Sequence, residues 1–253
     1  MTLFALTSHL LSPLKHGFYT RKGGASSGVF AGLNCGSGSS DIDEIVRINR
    51  TRVANHMGAS FEQLAGVHQI HSADVLVVND RQTSRPKADA LVTTSPDLVI
   101  SVLTADCQPI LLADKRAGVI AAVHAGWKGA QSGIIENTVA TMVGQGATRA
   151  NISAVIGPCI SQSSYEVGSD FRESFISTEP SSDQFFDDAG VQGKFLFDLA
   201  GYGLSKLEQS GIGDAEWTGQ CTYLDAANFY SYRRATHKNE ADYGRLISVI
   251  SLG

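Results

Sequence analysis

Five short apolar runs follow one another in the middle of the chain, and turn residues separate them. They cover residues 75–78, 90–93, 98–103, 110–114 and 118–123. Runs of this length, bounded by glycine, proline or aspartate, are typical of buried β-strands. Because the strands do not alternate strictly with long helices, the pattern favours an α+β fold over a doubly wound parallel sheet.

Helical and further strand patterns flank this region on both sides. Residues 41–57 predict a helix that Asp41 caps, with Glu44 at the spacing of a capping box. The other predicted elements are a short helical turn at 61–64, helices at 134–143, 171–176 and 199–209, and strands at 151–156, 229–232 and 246–250. No linker divides the chain, so we expect residues 1–253 to form a single domain, with a mixed β-sheet core and flanking helices.

Composition narrows the classes of partner. The net charge of −5 offers no broad basic surface, which argues against nucleic acid as the main partner. No apolar run approaches the roughly 18 residues of a membrane helix. The first residues lack the features of a signal peptide, so we expect a cytoplasmic protein, monomeric or weakly homo-oligomeric. Its four cysteines are widely spaced and predict free thiols.

Three polar residues interrupt apolar stretches just before small or turn-forming residues. They are His71, Cys107 and His124, and each therefore lies where a strand is expected to end. A thiolate and two imidazoles are ligands that zinc favours. The same groups also suit a cysteine nucleophile with its base. Residue spacing alone leaves both interpretations open.

Six sequence blocks carry a resemblance to a known family. They are VHQIH at 67–71, ADALVT at 88–93, TADCQPI at 104–110, AVHAGWKG at 122–129, IGPCI at 156–160 and FYSYRR at 229–234. The chain resembles the laccase-domain family, also called multicopper polyphenol oxidase-like, whose members are assigned as purine nucleoside phosphorylases. The match extends from Gly23 to Arg245. It departs from the family at Ser72, where glycine is usual, and in a longer segment at 235–245.

The resemblance implies a zinc site made by His71, Cys107 and His124, which are also the expected catalytic residues. It implies phosphorolysis of adenosine, inosine and S-methyl-5'-thioadenosine, together with adenosine deamination. Zinc lowers the pKa of water towards neutrality, which suits attack at C6 of the purine. The expected partners are therefore purine nucleosides and inorganic phosphate.

Four further residues are candidates for substrate binding. Arg233 is the first choice for phosphate because its planar fork matches phosphate oxygens, and Lys128 supports it. Asn34, in the glycine-rich segment 33–38, is a candidate for the ribose or base, and Gln69 for a role beside His71. We expect the glycine-rich segments to be ordered loops over a pocket. Asp106 is expected either to orient a ligand imidazole or to cap a turn.

The number of histidines bears on the oxidase label of the resembling family. A multicopper oxidase needs roughly ten histidines and a cysteine for its copper centres. This chain has seven histidines, and none forms a His-x-His pair. A copper-dependent polyphenol oxidase is therefore disfavoured, and zinc is expected rather than copper.

Two other classes of function remain: a hydrolase that uses His71, Cys107 and His124 without metal, and a binding module that uses none of them for catalysis. In a metal-free hydrolase, Cys107 would be the nucleophile and His124 or His71 its base. The peptidoglycan-editing label of some relatives suggests a cell-wall precursor as its substrate. A binding module without catalytic activity is the remaining alternative.

Overall fold

Two mixed β-sheets packed face to face form the centre of the protein, as given by a computed structural model that describes residues 2–81 and 84–253. The α-helices in these ranges are α1 Asp43–His56, α2 Trp127–Gln131, α3 Ile134–Gly144, α4 Ser169–Ile176, α5 Leu199–Gln209 and α6 Tyr232–His237. The strands are β1 Ala5–Leu6, β2 Lys15–Tyr19, β3 Leu64–Ala65, β4 Val75–Val77, β5 Ala90–Thr93, β6 Val99–Thr104, β7 Gln108–Asp114, β8 Val119–Ala125, β9 Ile152–Ile156, β10 Glu166–Gly168, β11 Phe186–Asp188, β12 Lys194–Phe197, β13 Asp214–Trp217 and β14 Leu246–Ser251.

The larger sheet has the strand order β13-β9-β7-β8-β5-β4, and the second has the order β1-β2-β14-β6-β3. Parallel and antiparallel pairs occur in both. In the larger sheet, the hairpin of β7 and β8 runs in register from Gln108 opposite Ala125 to Asp114 opposite Val119. All residues of both hairpin strands are buried, which explains why they are almost continuously apolar.

The protein has four layers, and alternation along β7 shows how they are built. Leu111 points between the two sheets, where it belongs to one core with Phe18 and Ile100 of the second sheet. Ile110 and Leu112 point to the opposite face, which packs against α3 and α5. Side chains alternate between the faces of a strand, so one strand contributes to both cores. On the outside of the second sheet, α1 completes the stack.

The predicted fold class, α+β with a mixed sheet core and flanking helices, is confirmed. The five middle strands and α5 lie where the apolar runs predict them. No helix among the described residues is long and apolar enough to cross a membrane. A third, smaller sheet of order β10-β12-β11 and the strand β2 were not predicted.

Two local predictions were wrong. The predicted cap Asp41 is not the N-cap of α1, because one of its carboxylate oxygens accepts the side-chain amide of Asn34 and the other the amide of Ile42, which takes the cap position. Residues 229–232 do not form a strand. Ser231 instead caps α6, since its hydroxyl accepts the amide hydrogen of Arg234.

The chain passes from one central sheet to the other between β6 and β7. Only three residues, 105–107, make this crossing. The ends of the two sheets meet there, and the loop between β3 and β4 lies against the same edge. This edge carries the site described next.

Candidate metal centre

His71, Cys107 and His124 meet at this edge. Their ligand atoms all lie within 4.8 Å of one another, and the Cys107 sulfur is 3.8 Å from Nε2 of His71. His71 comes from the loop between β3 and β4, Cys107 from the crossing between the sheets, and His124 from β8. His124 is buried, Cys107 is partly buried and His71 is exposed, so the site opens on one side.

Asp89, just before β5, positions both histidines. Its Oδ1 lies 2.8 Å from Nδ1 of His124, which leaves Nε2 of that ring for the site. The same carboxylate accepts backbone amide hydrogens from the His71 loop, at 3.0 Å from His71 and 2.6 Å from Ser72. Burial alone would raise the pKa of Asp89, but the hydrogen bonds from His124 and Ser72 lower it to about 2. Asp89 is therefore a carboxylate that fixes one ring and one loop.

The backbone at two site residues is left-handed. His71 has φ of +59° and Asp106 has φ of +81°, a region that non-glycine residues rarely adopt. At His71, the amide hydrogen bond to Asp89 holds this conformation. Such conformations cost free energy and cluster at functional sites.

Asp106 does not orient an imidazole. It is 7% exposed, and its carboxylate accepts the hydroxyls of Thr222 at 2.6 Å and Ser231 at 2.9 Å. It also accepts the amide hydrogen of Arg233 at 2.7 Å. Asp106 thus holds the first turn of α6 beside the site, and the imidazole-orienting part is taken by Asp89.

Gly126 allows the ligands to come together. A β-carbon at this position would lie 2.8 Å from Cδ2 of His71 and 2.9 Å from the sulfur of Cys107. Both distances are shorter than real contacts of a β-carbon. Only glycine therefore fits between His124 on β8 and the start of α2.

The thiol and the imidazoles shift one another's pKa values. Burial favours the neutral thiol of Cys107, but the neighbouring His124 and His71 lower its pKa to about 7. Burial favours the neutral ring of His124, yet the Cys107 thiolate and Asp89 raise its pKa. A thiolate is the form of cysteine that binds metals and acts as a nucleophile.

The donor set fits a tetrahedral metal ion. Bond lengths of about 2.0–2.3 Å place the ligand atoms of a zinc ion about 3.3–3.6 Å apart, so the three donors would move closer together on binding. A soft thiolate with two imidazoles suits zinc, and three protein ligands leave a fourth position for water or substrate. Asp89 gives His124 the carboxylate partner that metal-binding histidines commonly have.

Two cavities adjoin the triad, and His71, Ala105 and Cys107 line both of them. The larger cavity, of about 430 Å³, is lined by aromatic side chains and by a few charged ones; these are Trp127, Tyr165, Phe171, Tyr232, Asp106, Glu166, Lys194 and Arg233. The smaller cavity, of about 310 Å³, is lined by polar and basic residues, which include Gln69, His68, Arg85 and Arg245. The triad therefore lies between two spaces of different chemistry.

The predicted substrate-binding residues lie in different places. Arg233 lines the larger cavity, where its Nη1 donates to the carbonyl of Glu166 at 2.8 Å. Gln69 lines the smaller cavity, and its side-chain amide makes two hydrogen bonds with the backbone of Leu103. Lys128 is exposed and extends over the ring of Trp127, outside the residues that line either cavity.

Asn34 lies beneath the glycine-rich loop rather than in a cavity wall. It is fully buried, and its side-chain amide donates to Ser39 and Asp41. Its carbonyl oxygen accepts the amide hydrogens of Gly36 and Arg245. Asn34 therefore orders the loop, whose residues Gly36 to Gly38 line the smaller cavity, as the predicted loop over a pocket requires.

Sequence comparisons show which known proteins this chain is similar to. A family model described as multi-copper polyphenol oxidoreductase laccase matches residues 15–253. The chain is similar to a Deinococcus radiodurans protein named purine nucleoside phosphorylase, with 39% identity over 94% of this chain and 88% of the relative. A Mycobacterium tuberculosis protein of the same enzyme name is 34% identical over 91% of this chain and 89% of its own.

Solved structures show the same fold. A Neisseria meningitidis protein has a TM-score of 0.89 at 33% identity and covers 99% of both chains. YlmD from Geobacillus stearothermophilus has a TM-score of 0.89 at 25% identity, covering 99% of this chain and 96% of its own. The described fold therefore has counterparts in solved proteins over nearly the whole chain.

Proposed function

The chain belongs to the family described as multi-copper polyphenol oxidoreductase laccase, and from that membership we propose that it is a zinc-dependent purine nucleoside phosphorylase. Relatives with 33–39% identity carry that enzyme name, which supports an enzyme of this type. The observation that carries the proposal is the position of the triad. His71 and Cys107 line both cavities, so a substrate spanning the two would have its reacting bond at the triad.

The larger cavity suits a purine base. Trp127, Tyr165 and Phe171 offer aromatic surfaces, and the ring centroids of Trp127 and Phe171 are 4.8 Å apart. Aromatic rings bind planar bases by stacking and offset contacts. A volume of about 430 Å³ lies within the usual range for small-molecule sites. The proposed substrates are adenosine, inosine and S-methyl-5'-thioadenosine.

His71, Cys107 and His124 would hold the metal ion. Zinc in this site would supply a Lewis acid and lower the pKa of water, which would also suit adenosine deamination, the second activity that we propose. The copper named by the family description is disfavoured as a multicopper centre, because seven histidines are too few for one. The chain's own contribution is to fix the donors through Asp89 and Gly126.

We further propose one domain over residues 1–253, acting in the cytoplasm as a monomer or weak homo-oligomer. Its partners are small molecules rather than nucleic acid. The net charge of −5 argues against nucleic acid as a partner, because binding to phosphate backbones depends on basic surfaces.

A cysteine hydrolase is the second candidate, and one observation favours it. The Cys107 sulfur lies 3.8 Å from Nε2 of His71, and its lowered pKa is that of an activated thiol. In this alternative, Cys107 attacks an ester or amide bond of a peptidoglycan precursor. The requirement for metal separates the two candidates.

Product analysis with a panel of nucleosides tests the proposed function. Purified protein is incubated with adenosine, inosine or S-methyl-5'-thioadenosine, with and without phosphate and with and without a chelator. The expected result is free base with ribose 1-phosphate, or with 5-methylthioribose 1-phosphate from S-methyl-5'-thioadenosine, formed only with phosphate and lost after chelation. A protein that cleaves no nucleoside supports the hydrolase instead if it hydrolyses a peptidoglycan precursor and loses that activity when Cys107 is alkylated.

A further inference from the structure

The smaller cavity has basic side chains in its lining. His68, Arg85 and Arg245 line it, and none of the described residues in its lining is acidic. The larger cavity differs, because Asp106 and Glu166 line it beside Arg233 and Lys194. Arginine side chains in a cavity whose lining has no carboxylate favour an anion there.

The guanidinium groups at this cavity have donors to spare. Arg85 is exposed and donates to the hydroxyl of Ser37 on the glycine-rich loop, and it forms no ion pair with the described residues. Arg245 forms an ion pair with Asp242 at 2.9 Å and donates to the carbonyl of Tyr243 at 2.6 Å, in both cases through Nη1. Its remaining N–H groups are therefore available to a ligand.

A third arginine lies beneath the same loop. Arg50 is 3% exposed, its Nη1 donates to the carbonyl of Cys35 at 3.3 Å, and its Nε has no hydrogen-bond partner. Burial, together with the charge of Arg85, lowers the pKa of Arg50 to about 10. Burying a guanidinium without a counter-charge is costly, and Arg50 forms no ion pair within the described ranges. An anion nearby would offset that cost.

Arg233 is a poorer site for phosphate than its residue type suggests. Its Nη1 is bound to the carbonyl of Glu166, and its guanidinium lies 5.2 Å from the ring centroid of Tyr165. The carboxylates of Asp106 and Glu166 line the same cavity, so its lining is less positive than that of the smaller cavity. Its stacking position suits contact with a base or sugar instead.

We propose that the smaller cavity binds inorganic phosphate through Arg85 and Arg245, and that this phosphate is the nucleophile for a nucleoside whose base occupies the larger cavity. The inference rests on the proposed phosphorylase function and assigns its second substrate to a place. Arginine presents a planar fork that matches two phosphate oxygens. The side chains of Lys128 and His68 have no such fork. Arg50 adds positive charge from below.

The chemistry of phosphorolysis agrees with this division. A phosphate oxygen forms a bond to C1' of the ribose while the bond from C1' to N9 of the purine breaks. The electron pair of that bond leaves with N9, which gains the proton that hydrogen phosphate loses, and the products are ribose 1-phosphate and free base. The nucleophile and the leaving group lie on opposite faces of C1', which suits two separate cavities that share His71 and Cys107 in their linings.

Phosphate binding can be measured without any reaction. The metal-containing protein is titrated with inorganic phosphate and followed by ³¹P NMR, for the wild type and for Arg85→Ala, Arg245→Lys, Arg233→Ala and Arg81→Ala. Arg81 is an exposed arginine that lines neither cavity and serves as the matched control. Loss of one charge-assisted contact should weaken binding about 10-fold or more in Arg85→Ala and Arg245→Lys. Arg233→Ala and Arg81→Ala should stay within about 2-fold of the wild type.

Several outcomes would overturn the assignment. One is that the wild type binds no phosphate. Another is that Arg233→Ala weakens phosphate binding while Arg85→Ala leaves it unchanged. Binding of adenosine 5'-monophosphate but not of inorganic phosphate would assign the cavity to a phosphoester and also contradict it. Thermal unfolding of Arg245→Lys shows whether that variant is folded, and Arg85→Ala decides the question if it is not.

Kinetics separate this inference from the proposed function. Arg85→Ala should raise KM for phosphate while leaving KM for the nucleoside nearly unchanged, and Arg233→Ala should do the reverse. Phosphate binding at Arg85 in a protein that cleaves no nucleoside would remove the proposed function and leave the anion site standing. Phosphorolysis with an unchanged phosphate KM in Arg85→Ala would remove only the anion site.

Discussion

Asp89 contacts His124 with its Oδ1 2.8 Å from Nδ1 of the ring, and the same oxygen lies 3.0 Å from the backbone nitrogen of His71. One buried carboxylate therefore sets the ring of one candidate ligand and the loop of another. Because both contacts go to a single oxygen, a change at Asp89 affects two candidate metal ligands, His71 and His124, at once. This link makes the site sensitive to a residue that binds no metal itself.

Asp89→Asn should weaken metal binding without removing a ligand. The amide can donate where the carboxylate only accepts, so the hydrogen bonds from Nδ1 of His124 and from the His71 loop cannot all be kept. Loss of such a partner typically lowers metal affinity about 10- to 100-fold. Competition with a chromophoric chelator measures the zinc affinity.

Asp74→Asn is the matched control, because Asp74 is an exposed aspartate in the same loop. Its zinc affinity should equal that of the wild type. An Asp89→Asn protein with unchanged zinc affinity would show that the carboxylate does not position the donors.

Gly126→Ala should abolish metal binding in a protein that still folds. The added β-carbon would lie 2.8 Å from His71 and 2.9 Å from the Cys107 sulfur, so both donors must move apart. Gly144→Ala, at the end of α3, has open space around its β-carbon and should bind metal normally. Metal analysis of both purified proteins, with circular dichroism to verify folding, gives the comparison. Normal zinc content in Gly126→Ala would contradict the described packing.

Bound zinc should protect Cys107 from alkylation. Its thiol is partly exposed and has a lowered pKa, so the chelated protein should react readily with iodoacetamide. Mass spectrometry of the modified peptides measures the rate at Cys107 with and without zinc. Cys221, also partly exposed, is the internal reference, and zinc should leave its rate unchanged. Equal rates at Cys107 in the two states would favour the metal-free hydrolase.

Asp114 should make stability depend on pH. It is fully buried at the turn between β7 and β8, and its carboxylate accepts the amides of Thr148, Ala117 and Arg116 at 2.8–3.0 Å. Burial opposes ionisation, but these hydrogen bonds lower the pKa of Asp114 below its ordinary value. The stabilisation is therefore fully present above the unfolded-state pKa of about 3.9 and is lost as pH falls through the folded-state value.

Asp114→Asn should lower the free energy of unfolding by about 1–3 kcal/mol at neutral pH. The side-chain NH2 group of asparagine would face backbone N–H groups that need an acceptor. The difference from the wild type should shrink as the solution is acidified. Urea unfolding at neutral and acid pH measures it, with the exposed Asp97→Asn as control. A difference that stays constant with pH would contradict this account of Asp114.

The sequence was sufficient for the central strands and for the triad. Apolar runs bounded by turn residues predict buried strands, and His71, Cys107 and His124 each interrupt such a run. The contacts that the sequence could not predict are long-range. An aspartate before a strand, such as Asp89, has the same local pattern whether it ends a turn or holds two histidines.

Distant polar partners decide the surroundings of residues at two places where the local sequence pattern is not sufficient. The aromatic residues at 229, 230 and 232 predict a strand, but Asp106 binds the amide of Arg233 and fixes the start of a helix there. For Asn34, whose role in substrate binding stays a prediction, the fold brings Asp41 and the backbone of Arg245 to its side chain. These contacts do not follow from the local pattern.

Restoring activity to chelated protein tests the central claim, that the triad binds one metal ion on which nucleoside phosphorolysis depends. Zinc is titrated into the chelated wild type and into Cys107→Ser, while ribose 1-phosphate is measured with phosphate present. The wild type should recover its rate at about one zinc per chain, and Cys107→Ser should not recover. Chelated protein that forms ribose 1-phosphate at the full rate without zinc would contradict the claim.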